Sequence, residues 1–325
     1  MVKRWDFMSN TISVCVPACN RPELLREALL SCLAQTRRPD CILVGDDSKD
    51  DASEKVVREV EQQSGFAIDY QRNTPPLRQN ANTNSLLLRA KTSHLMLLHD
   101  DDLLLPNAIE DLMACWEEYP HLTAAYGKQY SISHEGVIDE LATEKLNSWF
   151  LRTDEYARLQ KNDYVAGICQ QLHNDGYVMR TEAAQAVLWR PQPECGDAGD
   201  YDFGLRLCIN YRGFYFLNRF TAKYRNTATG SISTQGSNDA AFSIFKILTQ
   251  TQLPLGCEEL RARQLSGLVP AAMMQAMWCG QIGQAWQIYL SPYFGRGRRM
   301  SLDNLRWLVK LTLKTIKLTL RPSKT

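Results

Sequence analysis

Apolar runs that end in polar, acidic loops, separated by segments of helical period, constrain this chain more than any single motif. Thr11 to Pro17 is a β-branched run, and after a polar turn Leu24, Leu25, Ala28, Leu29, Cys32 and Leu33 recur at helical spacing. Cys41 to Gly45 leads into Asp46, Asp47 and Ser48, after which Asp50 and Ser53 are suited to cap a helix carrying Val56, Val57 and Val60. Residues 67–70 read as a third strand, 78–90 as a helix, and His94 to Leu98 as a fourth strand running through His99 into Asp100, Asp101 and Asp102. The alternation predicts a mostly parallel sheet flanked by helices. Ligands of such sheets bind beyond the carboxyl ends of the strands, so Pro17 to Arg21, Asp46 to Asp51 and His99 to Asp102 are expected to form one crevice.

Composition narrows the class. Across 325 residues, 44% apolar against 22% charged excludes wholesale disorder, and 13 Pro with 18 Gly and no fixed repeat excludes collagen-like and solenoid chains. Cations outnumber anions by only 37 to 36, which does not advertise nucleic-acid binding. The average hides an asymmetry: residues 296–325 hold nine cations against Asp303 alone. Ten cysteines show no CxxC pair, and Met1 to Asn10 lacks the apolar stretch of a signal peptide, so a reducing cytoplasm is expected. No apolar run reaches the roughly 18 residues of a membrane span.

Three successive carboxylates after an apolar strand repel one another, and burial raises that cost, so a positive charge is expected among them. Oxygen ligands in a short loop suit Mg²⁺ or Mn²⁺, with the phosphates of a nucleoside diphosphate completing the shell. The plainer alternative is that Asp100 and Asp102 only cap the turn before Leu103. A second cluster, GDAGDYDFGLRL from Gly196 to Leu207, reads as a helix start with Asp200 and Asp202 in its first turn. A carboxylate there is either a helix cap or a proton acceptor for a hydroxyl facing a cleft.

In order, VCVPACNRPELLREALLSCLAQT, ILVGDDSKDD, LMLLHDDDLLLP and GDYDFGLRL resemble the inverting glycosyltransferases of family 2, over about residues 11–235. The resemblance implies a GT-A fold and a nucleoside-diphosphate sugar as donor, UDP-linked by first expectation, with Mg²⁺ or Mn²⁺ as cofactor. It makes Asp47 the partner of the base, with Pro17, Ala18, Asn20 and Asp46 around the nucleotide, and Arg78 and Asn84 supporting the phosphates. The DXD-type motif falls on His99 to Asp101, or in another register on Asp100 to Asp102. Asp101 becomes the metal ligand, Asp100 a ribose or metal contact, and Asp200 the catalytic base. Asp102, Arg225 and His173 are candidates for phosphate or acceptor contacts. The sequence departs from the family at His99, where many relatives have aspartate, at Cys19, and at Asn226 or Thr227, where a histidine often follows the arginine.

Past about Gln235 these motifs stop. The expected organisation is a GT-A domain over residues 1–238, a helical region over 239–295 and a basic tail helix over 296–325. The uncharged stretch from Gln264 to Gly295 suits a buried helical hairpin better than a membrane-embedded one. In residues 302–321, Arg306, Lys310, Lys314, Lys317 and Arg321 share an arc of about 80° at helical spacing, which suits an anionic membrane surface, with self-packing and a nucleic-acid arm as alternatives. The expected partners are therefore a nucleotide-sugar donor, a glycan or lipid-linked saccharide acceptor, and the inner face of a membrane, with no nucleic acid. A nucleotidyltransferase and a silent nucleotide-sugar binder are the competing readings.

Overall fold

The computed structural model describes residues 10–173, 175–226, 239–295 and 302–319. The described residues form two compact units, one within residues 1–191 and 199–228, the other within 192–198 and 229–325.

The first unit is built on one mixed sheet. Strands β1 (Ile12–Ala18), β2 (Cys41–Asp46), β3 (Asp69–Arg72) and β4 (His94–Leu97) pair in parallel in the order β3, β2, β1, β4. They alternate with helices α1 (Pro22–Leu33), α2 (Ala52–Ser64) and α3 (Gln79–Arg89). Beyond β4 the direction changes. Strand β8 (Tyr177–Arg180) runs antiparallel to both β4 and β6 (Ala124–Ile132), and β9 (Phe214–Arg225) returns parallel to β6. Two short strands, β5 (Leu103–Leu104) and β7 (Arg158–Leu159), add antiparallel to β9. The helices of this half are α4 (Ala108–Glu118), α5 (Glu140–Trp149), α6 (Tyr164–Ile168), α7 (Thr181–Val187) and α9 (Gly199–Asn210).

Alternation along β1 sorts its residues between two cores, because successive side chains of a strand point to opposite faces. Val14 and Val16 pack with Leu25 and Leu29 of α1, the three valines of α2 and Leu112 of α4. Cys15 faces the other way, toward Leu86 of α3, Ala184 of α7 and Phe203 of α9. Each fully buried Leu or Val contributes about 1.5–3 kcal/mol over exposure. Helices thus cover both faces of the sheet, leaving the polar loops at the strand ends to meet one another. The expected caps of α2 differ in detail: its N-cap is Asp51, which makes no capping bond, while Asp50 accepts from the Ala52 N–H and Ser53 bonds Ser48.

The second unit is helical: α8 (Gln192–Cys195), α10 (Ala240–Gln250), α11 (Glu258–Trp278), α12 (Ile282–Leu290) and α13 (Leu302–Thr319). α11 and α12 form the hairpin expected from the uncharged stretch, with Leu265, Val269, Ala272, Met273 and Ala285 fully buried. None of the described helices is long and apolar enough to cross a membrane. α13 docks through one face: Leu311 is fully buried, Thr315 Oγ1 accepts from Trp286 Nε1 at 3.0 Å, and Lys314 Nζ donates to the Met277 carbonyl at 2.7 Å. Leu305, Val309, Leu313 and Ile316 stay exposed. The expected cations at Arg296, Arg298, Arg299, Arg321 and Lys324 lie outside the described residues, as does Thr227.

Candidate active site

The three acidic or polar loops do converge. At the end of β1, the Cys19 N–H donates to Asp100 Oδ2 at 2.9 Å, and the Asn20 N–H to Ser48 Oγ at 2.7 Å. Asn20 returns the link by accepting from the Lys49 N–H at 3.0 Å. Pro17 and Ala18 precede this turn in strand β1. At the end of β2, Asp46 is fully buried and accepts from Ser48 and from Tyr70 Oη. Asp47 Oδ1 accepts from Asn73 Nδ2 and the Leu77 N–H, and Oδ2 from the Arg78 N–H. Its carboxylate therefore braces the loop before α3. Arg78 enters that bond with φ 68°, a left-handed conformation costly for a residue with a Cβ. Its side chain is exposed. Asn84 exchanges two hydrogen bonds with the backbone of Trp189 and acts as a clamp between α3 and the segment after α7.

The positive charge expected among the aspartates is in part a side chain. Arg21 donates Nη2 to Asp100 and Nη1 to Asp101. Burial pushes Asp100 up to about 6 even so, against the lowering pull of Arg21. Asp102 is 1% exposed; Oδ1 accepts from the Arg225 N–H at 2.6 Å, and Oδ2 has no partner. Burial and the neighbouring Asp175 carboxyl push Asp102 well up, so these two carboxyls call for a shared proton or a cation. Arg225 is spent within the fold, donating to the carbonyls of Asp101 and His134 and to Glu27. His99, Asp101 and Asp102 offer ligand atoms within 4.8 Å of one another, close enough to hold one metal ion.

Asp200 stands in the first turn of α9 and accepts from Gln170 Nε2 at 2.8 Å. Burial raises its pKa, and His99 lies near enough to lower it electrostatically. The Tyr224 phenol is raised by burial and then by the charges of Asp102, Asp101, Asp175 and Asp200, which places both acidic clusters in one neighbourhood. Asp202, two residues on, is fully buried and pinned by Arg190 and Arg206. His173 stacks on Phe150 and meets Tyr224 edge-on. The exposed Cys19 thiol is raised by desolvation and then by the neighbouring Asp100, which disfavours the thiolate. A cavity of about 630 Å³ lined by Lys128, Glu140, Asn147, Arg152, Asp154 and Phe220 takes in none of the acidic-loop residues.

Gln170 and Asp175 lie beside these aspartates and are passed over by motif reading, which places Arg21 in the crevice without its pairing to Asp100 and Asp101. Asp175 Oδ1 accepts from the His99 N–H at 2.6 Å. The turn-forming Asn-Asp-Gly before β8 was the available signal for it.

No curated protein matches the chain in sequence. Among solved structures, the mannosyltransferase PcManGT from Pyrobaculum calidifontis, in complex with GDP-Man and Mn²⁺, aligns with TM-score 0.57 and 14% identity over 94% of this chain and 84% of its own. TarS 1–349 from S. aureus, in complex with UDP-GlcNAc, aligns with TM-score 0.55 and 14% identity over 93% of this chain and 79% of its own. A longer TarS structure aligns with TM-score 0.54 and 14% identity over 93% of this chain, which spans 48% of it. The shared architecture is the GT-A fold. With residues 13–174 matching the family model "Glycosyl transferase family 2", the chain belongs to glycosyltransferase family 2.

Proposed function

We propose that this glycosyltransferase moves a sugar from a nucleoside-diphosphate sugar, UDP-linked by preference, to a hydroxyl of a glycan or lipid-linked saccharide, with inversion at the anomeric carbon and with Mg²⁺ or Mn²⁺ as cofactor. The observation that carries it is Asp200: a half-buried carboxylate held by the Gln170 amide rather than by a cation, in the electrostatic neighbourhood of the acidic loop, beside an Asp202 that two arginines pair. The complexes named for TarS with UDP-GlcNAc and PcManGT with GDP-Man support the donor class.

In the reaction the acceptor oxygen bonds to the anomeric carbon as the bond from that carbon to the diphosphate oxygen breaks and the diphosphate leaves with the electron pair. Asp200 takes the hydroxyl proton, and its raised pKa makes it a better base than an ordinary aspartate. Gln170 holds the carboxylate in place. The loops after β1, β2 and β4 hold the nucleotide, with Asp47 fixing the 73–78 loop against it. A divalent cation held at the acidic loop would supply charge stabilisation to the leaving diphosphate.

Asp200→Asn should lower turnover by roughly 10²- to 10⁴-fold while nucleotide affinity is kept; near-normal turnover would remove the assignment of the base. A thermal-shift panel of nucleoside diphosphates and their sugars, with and without Mn²⁺, identifies the donor, and the anomeric configuration of the product by NMR checks inversion. The basic tail, residues 296–325, is our choice for contact with the inner face of a membrane, because α13 leaves an apolar stripe uncovered beside its cations.

A further inference from the structure

Three polar atoms at the acidic loop and the Asp175 carboxyl beside it are buried without a partner: His99 Nε2, Asp102 Oδ2 and Asp175 Oδ2. Leaving such a group unsatisfied costs about 1–3 kcal/mol, more for a charged one. His99 and Asp102, with Asp101, each offer one ligand atom within 4.8 Å of the others. Asp102 is 1% exposed, so water does not satisfy it from outside. Asp100, by contrast, already has a partner on each oxygen: Oδ1 accepts from Arg21 and Oδ2 from the Cys19 N–H.

We propose that the divalent cation of this crevice is held by His99 Nε2, Asp101 and Asp102 Oδ2, and that the imidazole makes the site select Mn²⁺ over Mg²⁺. The proposal rests on reading the crevice as a cation-dependent nucleotide-sugar site, and it replaces the pairing of Asp100 with Asp101 expected from the motif. Mg²⁺ binds through oxygen and gives up its water reluctantly, whereas an imidazole nitrogen suits first-row transition ions. The surrounding bonds favour this set. Asp175 Oδ1 holds the His99 backbone, and the Arg225 N–H takes Asp102 Oδ1, leaving the other oxygen to the ion. On the far side, Arg21 takes Asp100 and one oxygen of Asp101. A shared proton between Asp102 and Asp175 is the alternative occupant, and it would leave the His99 nitrogen unengaged.

The test uses the full chain. Mn²⁺ and Mg²⁺ affinities are measured by calorimetry with and without UDP, and the Mn²⁺ sample is examined by electron spin-echo modulation for a coupled ¹⁴N nucleus. The wild type should show ¹⁴N coupling and bind Mn²⁺ about tenfold or more tighter than Mg²⁺. His99→Asp should lose the coupling and bring the two affinities to within about threefold of each other. His99→Asn, checked for folding by thermal unfolding, should lose the coupling as well. Mn²⁺ bound without nitrogen coupling, or a His99→Asp protein with wild-type preference, overturns the proposal and leaves the glycosyltransferase reading intact. If the wild type binds no Mn²⁺ with or without UDP while UDP still raises its Tm, cation dependence falls too.

Discussion

Asp200 and Asp202 are chemically identical and two residues apart, yet their surroundings give them opposite roles. Two guanidiniums pair with Asp202 and fix it in place, whereas Asp200 has only the Gln170 amide and nearby backbone N–H groups to stabilise its charge. Gln170 itself sits at φ 53°, a strained conformation that aims its amide at the carboxylate. Because burial raises Asp200, the acidic limb of kcat should lie above the pH of an ordinary aspartate, about 3.9. Gln170→Leu removes a bond that favours the charged form, so the folded pKa rises further. A pH–rate profile should then show that limb displaced to higher pH with the plateau nearly kept. A limb that stays in place would mean that Gln170 does not act through Asp200. Such pairings were only half legible. The motif named the aspartates, but Arg21 is separated from Asp100 by 79 residues and Gln170 from Asp200 by 30, distances over which sequence spacing says nothing about side-chain contact.

At the scale of elements, β1, β2 and β4 and the helices around them were legible because those strands are apolar and the helices carry a 3.6-residue stripe, whereas β3, Asp-Tyr-Gln-Arg, is polar. The ends shifted slightly, as with β3 at Asp69–Arg72 where 67–70 was expected. The half after β4 was less legible. β8 enters antiparallel between β4 and β6, and a run of four residues carries no sign of its direction. What holds the loop ends in register is a small number of close approaches. Gly45, at the end of β2, lets α3 come so near that a Cβ there would meet Asn82 Oδ1 at 2.3 Å and Leu86 at 3.2 Å. Asn82 uses that proximity to bond the Gly45 carbonyl and to receive Asn73, which in turn holds Asp47. Gly45→Ala should cost about 1–3 kcal/mol by overpacking, read as a lower urea midpoint. It should also weaken nucleotide binding, since the displaced Asn82 releases the loop that Asp47 braces. An unchanged midpoint would show that α3 can retreat without strain.

On the scale of the whole molecule, the charge is divided: residues 296–325 carry a formal +8, leaving −7 for the rest of a chain whose net charge is +1. The sequence placed the tail's cations on one arc, and the structure adds which of the remaining faces is free. Leu311, Thr315 and Lys314 are used in docking α13 within the C-terminal unit. Leu305, Val309, Leu313 and Ile316 fall on an adjoining arc of about 80° at 100° per residue, and each is 45–54% exposed. Self-packing, one of the alternatives open from sequence, therefore accounts for one face only. An apolar stripe next to a basic one matches the boundary between lipid chains and anionic headgroups, where each cation near the surface contributes about 1 kcal/mol. The full chain should co-sediment with vesicles containing anionic lipid, bind zwitterionic vesicles weakly, and release as salt shortens the Debye length. Val309→Asp with Ile316→Asp places charge on the stripe without touching Leu311, so Tm should hold while vesicle affinity falls by about tenfold or more. If that double variant binds vesicles as the wild type does, the stripe is not the membrane face, and the cations act alone or not at all.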